Sequence, residues 1–122
     1  MELRKTIYSV MPSLVEYEGT VARINFDVEK KTVTSEAMNA DTDSKTEERT
    51  VWEGYAVRVV QPVTRDKVID AIVTAAYPSD VMQAVINNHL LDESDDAHLA
   101  EWTEMQAWRK HAKEVADEVV GL

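Results

Sequence analysis

The first half of the chain alternates apolar and polar residues with the period of a β-strand. Over residues 21–28 every second side chain is apolar, as expected of a strand that buries one face. Residues 17–20 can turn into this strand, because Gly19 suits a tight turn. Residues 29–31 can turn out of it into a partner that begins at Thr32, and the pattern therefore predicts a hairpin.

A second strand is predicted over residues 50–61, where apolar residues stand at both alternate sets of positions. Such a strand is expected at the centre of a sheet, with one side under helices. Gly54 within it can permit a bulge or a close approach of backbones. Between the two strand regions, residues 36–49 contain Met38 as their one large apolar residue and are rich in acidic residues. We expect a solvated loop or mobile hairpin tip there, centred on residues 39–49.

The second half of the chain, residues 64–122, changes to a helical period, with apolar residues recurring at spacings of three and four. Thr64 is a candidate N-cap for a first helix. Pro78 breaks the run and Ser79 can cap a second helix. The acidic residues 92–96 then precede a third helix, whose positive end they would stabilise.

These elements predict an α+β fold, in which a small antiparallel sheet of three or four strands packs against three C-terminal helices. A chain of 122 residues fits a single domain. We therefore expect one domain over residues 1–122, with a β-rich half over residues 1–61 and a helical half over residues 64–122.

The composition narrows the classes of function. There is no cysteine, and 23 acidic residues against 13 basic ones give a net charge of −10. The acidic field repels phosphate backbones and the basic residues form no patch, so we expect no direct binding to nucleic acid. No apolar run approaches the ~20 residues of a membrane span, and the first cations are not followed by the apolar run expected of a signal peptide. A cytoplasmic protein without a membrane partner is the expectation.

No catalytic, cofactor or metal signature is found. Calcium-loop spacings that start at Asn39 or Asp92 lack the required glycine and the closing acid. His89, His98 and His111 show none of the tight pairings of zinc sites. The glycines are too scattered for a phosphate-binding loop. We therefore predict no catalytic, cofactor-binding or metal-binding residues, and a protein that is not an enzyme.

The third helix carries the candidate interface residues Trp102, Met105, Trp108 and Arg109. Aromatic residues, Met and Arg are enriched at protein interfaces. The two tryptophans are separated by about 240° of helix rotation, so both cannot centre one narrow stripe. Either one of them anchors a partner, or both pack internally on a wide apolar face.

The order of segments in residues 50–118 resembles that of small proteins encoded by temperate phages and integrated prophages. The segments are Thr64–Val73, Tyr77, Asn87–Asp92 and Glu104–Lys113. The last is similar to the short Trp-Arg helix of tail-fibre assembly proteins. The resemblance implies a non-enzymatic accessory or assembly protein that acts on a protein partner or as a homo-oligomer, and it carries over no catalytic residues.

An alternative function is that of an acidic inhibitor that imitates DNA and occupies a host nucleic-acid-binding protein. That role requires carboxylates on one continuous face. The acidic residues instead cluster in residues 36–53 and 92–104, a distribution that favours solubility as the reason for the charge.

Overall fold

The computed structural model describes residues 1–37 and 45–121. It contains four strands followed by three helices: β1 (Thr6–Tyr8), β2 (Val15–Glu18), β3 (Val21–Ala37), β4 (Lys45–Val60), α1 (Arg65–Ala76), α2 (Ser79–Leu91) and α3 (Asp96–Val120). The strands form one antiparallel sheet in the order β1-β4-β3-β2. The predicted α+β fold, with an N-terminal sheet and three C-terminal helices, is confirmed. None of the described helices is long and apolar enough to cross a membrane.

The β3–β4 hairpin is longer than predicted. The turn expected at residues 29–31 is wrong, because β3 continues without interruption to Ala37. The loop expected over residues 36–49, with its mobile part near residues 39–49, is shorter at both ends, because residues 36–37 belong to β3 and residues 45–49 belong to β4. Residues 38–44 lie outside the described residues. The turn expected at residues 17–20 is confirmed, and Gly19 provides its positive φ of 64°.

A bulge in β3 lies opposite Gly54. Phe26 pairs with Tyr55 and the next pair is Glu29 with Glu53, so two residues of β3 face one residue of β4. The first of the two, Asp27, has a φ of 54°. A Cβ atom on residue 54 would lie 3.0 Å from the Phe26 carbonyl oxygen. The predicted bulge and close backbone approach at Gly54 are therefore confirmed.

The core lies between one face of the sheet and the helices. Ile24 and Phe26 of β3 and Val57 and Val59 of β4 are buried, as alternation requires of strands covered on one face. They pack against buried side chains of α1 and α3, which are Val68, Ile72, Val73, Ala112, Val115, Ala116 and Val119. None of the described helices packs on the other face of the sheet.

The helix starts follow local side-chain chemistry. The Thr64 hydroxyl accepts a hydrogen bond from the Lys67 amide at 3.3 Å, which confirms the predicted cap. Ser79 is the first residue of α2 rather than its cap, because Pro78 occupies that position. At α3 the Asp95 carboxylate accepts a hydrogen bond from the His98 amide at 3.0 Å. That bond lowers the pKa of Asp95 below its ordinary value.

Candidate functional site

The four candidate interface residues of α3 do not form one exposed surface. Met105 is fully buried with Tyr77 and Val85 between α2 and α3, so it offers no surface to a partner. Arg109 and Trp102 are half-buried. Trp102 stacks on His89 of α2, with ring centroids 4.4 Å apart. This end of α3 is therefore occupied by packing against α2.

Trp108 belongs to the edge of the main core. Its indole Nε1 donates a hydrogen bond to the Ile72 carbonyl oxygen of α1 at 3.0 Å. Its ring meets Tyr55 edge-on at 5.5 Å and lies 6.0 Å from Phe26. Of the two alternatives for this tryptophan, the contacts favour internal packing. The helix accommodates both tryptophans because α1 and the sheet cover one part of it and α2 covers another.

The most prominent exposed feature is the outer part of the β3–β4 hairpin. Beyond the bulge, nine residue pairs run from Glu29 with Glu53 to Ala37 with Lys45. We call this ladder, residues 29–37 and 45–53, the arm. At the rise of a β-strand it is roughly 30 Å long. Residues 29–34 and 48–50 are all exposed, and since successive side chains point to opposite faces, neither face of the arm is covered there.

The arm also has free edges. β2 pairs with β3 only over Val21–Ile24, and β1 pairs with β4 only over Trp52–Gly54. Within the described part of the chain, therefore, no strand pairs with the outer edge of β3 over residues 29–37. A strand edge of this kind presents unpaired N–H and C=O groups and readily accepts a strand from another molecule.

The base of the arm is fixed to the body of the protein. Val51 is buried, and Lys31 Nζ lies 2.8 Å from the Glu53 carboxylate. The hydrogen bond from Lys31 lowers the pKa of Glu53, and the same bond raises the pKa of Lys31. Both side chains are well hydrated, so the pair orients the base of the arm and adds little stability.

A second arrangement joins the bulge to α3. His111 Nε2 lies 2.8 Å from both carboxylate oxygens of Asp27, and His111 Nδ1 lies 3.6 Å from Glu114. The groups border a cavity of about 320 Å³ with Glu118 and apolar side chains. No hydroxyl or thiol nucleophile lines it. No group of three metal-ligating side chains occurs within the described residues. The contact therefore serves to tie α3 to the strained position in β3.

The sequence did not predict the full length of the arm or the contact between Asp27 and His111. Residues 29–34 and 48–50 are exposed on both faces, so the outer arm lacks the alternation that marks a half-buried strand. The two contact residues are 84 positions apart, and no local pattern links them.

Comparisons of the chain with protein families, with curated proteins and with solved structures give no match. The resemblance to phage-encoded assembly proteins therefore stays a prediction. Inference about function rests on the geometry of the arm and on the chemistry of its residues.

Proposed function

We propose that this protein is a non-enzymatic assembly protein that associates with a second copy of itself through the β3 edge of the arm. The observation that carries the proposal is a ladder of nine residue pairs with an unpaired outer β3 edge. Pairing two such edges would continue the sheet across both molecules and satisfy the backbone groups along them.

The sequence of β3 is self-complementary in one antiparallel register. With Val33 on the two-fold axis, Lys30 of one copy stands opposite Glu36 of the other. Symmetry makes this pair occur twice, and Thr32 then stands opposite Thr34. Pairs of opposite charge and Thr–Thr pairs across strands each contribute about 0.2–1 kcal/mol. Val33, which is 41% exposed, would be covered at the axis by its own symmetry mate.

Two registers in the exposed middle of the β4 edge are poorer candidates for the same contact. An axis at Glu48 would set that carboxylate opposite itself, and an axis at Arg49 would do the same for two guanidinium groups. Like charges directly opposite one another destabilise a strand pair. Charge therefore favours the β3 register centred on Val33 over the β4 registers centred on Glu48 and Arg49.

The proposed contact is small, since it joins one strand edge of each copy. Interfaces below about 1,200 Å² belong to weak and transient complexes. The net charge of −10 on each copy adds a repulsion that salt screens within about 8 Å at physiological ionic strength. We therefore expect a reversible dimer whose population rises with protein concentration and with salt.

Self-association of this kind agrees with the assembly role predicted from the sequence. The phage origin, the cytoplasmic location and the lack of direct nucleic-acid binding stay predictions that accompany the proposal. A heterologous protein partner would be an alternative user of the same edge.

Removal of the arm tests the proposal. Thr32 and Thr50 are register partners, so replacing residues 33–49 by Asn-Gly joins them through a two-residue hairpin turn. The body of the protein, with its buried core, is retained. Light scattering on a sizing column should show a dimer for the full chain at high concentration and a monomer for the shortened chain.

Far-UV circular dichroism and urea unfolding of the shortened chain provide the control that the body still folds. A full chain that stays monomeric at every concentration would contradict the proposal. A shortened chain that still dimerises would place the interface outside the arm.

A further inference from the structure

A concave site lies on the face of the sheet that the helices leave open. Its volume is about 360 Å³, and it is lined by Thr6 and Tyr8 of β1, Arg23 of β3, and Ala56 and Arg58 of β4. Arg23 lies between buried Ala22 and Ile24, and Ala56 and Arg58 flank buried Val57, so these side chains point away from the helices. Thr6 and Tyr8 pair with Gly54 and Trp52, which lie on the same face of β4 as Ala56 and Arg58. The site is thus separate from the core and from the arm.

Two arginines stand side by side at this site. Arg23 and Arg58 are direct register partners on neighbouring strands, an arrangement that destabilises a sheet unless a negative charge compensates it. Glu18 of β2 lies near both: its carboxylate oxygens are 3.4 Å from Arg23 Nε and 3.9 Å from Arg58 Nε. One carboxylate is therefore shared by two guanidinium groups.

Glu16 and Glu18 together leave several N–H donors of the two arginines unused. Arg23 Nε is inaccessible to solvent and has no hydrogen-bond partner. Arg23 Nη2 donates to Glu16 Oε2 at 3.3 Å, and the other Glu16 oxygen accepts a 2.6 Å bond from Asn25. Among the described residues, the guanidinium of Arg58 reaches only Glu18, at 3.9 Å, a separation too long for a hydrogen bond. A guanidinium group carries five N–H donors, so the pair can serve further acceptors.

Neutral hydroxyl groups border the same space. The Tyr8 hydroxyl donates to Asn25 Oδ1 at 2.8 Å, which fixes its position and leaves its oxygen free to accept. Burial raises the pKa of Tyr8, an effect that the charge of Arg23 partly opposes. The hydroxyl therefore stays protonated at neutral pH. Thr6 adds a second hydroxyl at the rim.

We propose that this pocket binds a phosphate group, with Arg23 and Arg58 as its principal ligands and Glu18 as an internal carboxylate that the phosphate displaces. A planar carboxylate held by β2 does not reach both guanidinium groups at hydrogen-bond distance. A tetrahedral dianion offers more acceptor oxygens in more directions, and arginine forks match phosphate geometry. The shared chemistry is that of inorganic phosphate and of a phosphate monoester. The net acidity of the protein lowers the affinity for either, but screening confines that effect to short range.

The test is a titration of the full chain with inorganic phosphate and, separately, with phenyl phosphate, at constant ionic strength and followed by NMR of the arginine Nε–H groups. We expect saturable shifts at Arg23 and Arg58. Arg58→Gln should weaken binding by about tenfold or more, as for loss of a hydrogen bond to a charged group. Glu18→Gln should tighten binding, because it removes the competing charge. Arg58 is 67% exposed at its side chain, so its replacement should not unfold the protein.

A matched control is Arg65→Gln, which removes an exposed arginine paired with Asp117 on the helical side. It should leave binding unchanged. Tighter binding of phenyl phosphate than of inorganic phosphate would identify a monoester as the preferred form, and the reverse order would identify the free ion. Equal losses in Arg58→Gln and Arg65→Gln, weaker binding in Glu18→Gln, or non-saturable shifts would overturn the proposal. None of these outcomes bears on dimerisation through the arm.

Discussion

Truncation of Trp108 should destabilise the fold strongly, because this side chain joins three elements. Its Nε1 donates to the Ile72 carbonyl of α1 at 3.0 Å, and its ring contacts Phe26 and Tyr55 of the sheet. Replacing a large core aromatic residue by Ala typically costs about 3–5 kcal/mol. Trp108 is half-buried at the edge of the core, so we expect Trp108→Ala to lie near the lower end of this range.

Trp108→Phe measures the contribution of the indole hydrogen bond to stability separately from that of the aromatic ring. The substitution retains an aromatic ring near Phe26 and Tyr55 but loses the indole N–H, which accounts for about 1 kcal/mol. The smaller ring also buries less apolar surface, at roughly 25 cal/mol per Å². The sum predicts a loss of about 1–2 kcal/mol for Trp108→Phe.

Urea unfolding followed by far-UV circular dichroism measures these differences. Trp102→Ala is the control. Trp102 is half-buried like Trp108, but it packs against the smaller cluster between α2 and α3 and stacks on His89; its loss should cost about 1–2 kcal/mol. The reasoning would be refuted if Trp108→Ala cost less than Trp102→Ala. It would also be refuted if Trp108→Ala left stability intact and changed only the oligomeric mass, because Trp108 would then anchor an interface.

Two further predictions concern the bulge and the buried tyrosine. Gly54→Ala should destabilise the protein by about 1–3 kcal/mol, the usual cost of overpacking, because the added Cβ would lie 2.8 Å from Val28 Cγ2 and 3.0 Å from the Phe26 carbonyl oxygen; an unchanged urea midpoint would show that the bulge can open. Burial, together with the charge of Glu104 and a hydrogen bond to it, raises the pKa of Tyr77 above 10.0. The folded state thus holds the Tyr77 proton more tightly than the unfolded state does. The resulting contribution to the free energy of unfolding is fully present below the pKa of the unfolded state, and it is lost as the pH rises through the pKa of the folded state. Tyr77→Phe should flatten the alkaline decline of the unfolding free energy, and an identical decline in both proteins would exclude Tyr77 as its source.

The helices were the most predictable elements because their signals are local. Thr64 caps α1 through its own hydroxyl, and the acidic leader before α3 supplies Asp95 as its cap. The bulge was likewise predictable from one residue, because a glycine within a strand pattern, here Gly54, is typical of a bulge. The period and the caps of a segment depend on nearby residues alone, and so they can be found without the tertiary structure.

The features proposed to carry function were not predictable in the same way. Residues 29–31 look like a turn because they are charged and exposed, although they form part of a long strand. The pairing of Arg23 with Arg58 depends on the register of β3 against β4, which the sequence pattern did not determine. The four candidate interface residues of α3 do not share one exposed surface, because Met105 is fully buried. A helix of 25 residues can pack against different neighbours along its length, and the sequence pattern does not show where one neighbour ends and the next begins.

The most direct test of self-association through the β3 edge is a charge-reversal cycle at residues 30 and 36, read as molar mass by light scattering at high protein concentration. Lys30→Glu and Glu36→Lys should each convert the dimer to monomer, because each sets like charges opposite one another twice. The double variant should restore the dimer, and Lys110→Glu on α3 should leave it unchanged. A double variant that stays monomeric, or single variants that dimerise as the natural chain does, would contradict the proposed pairing.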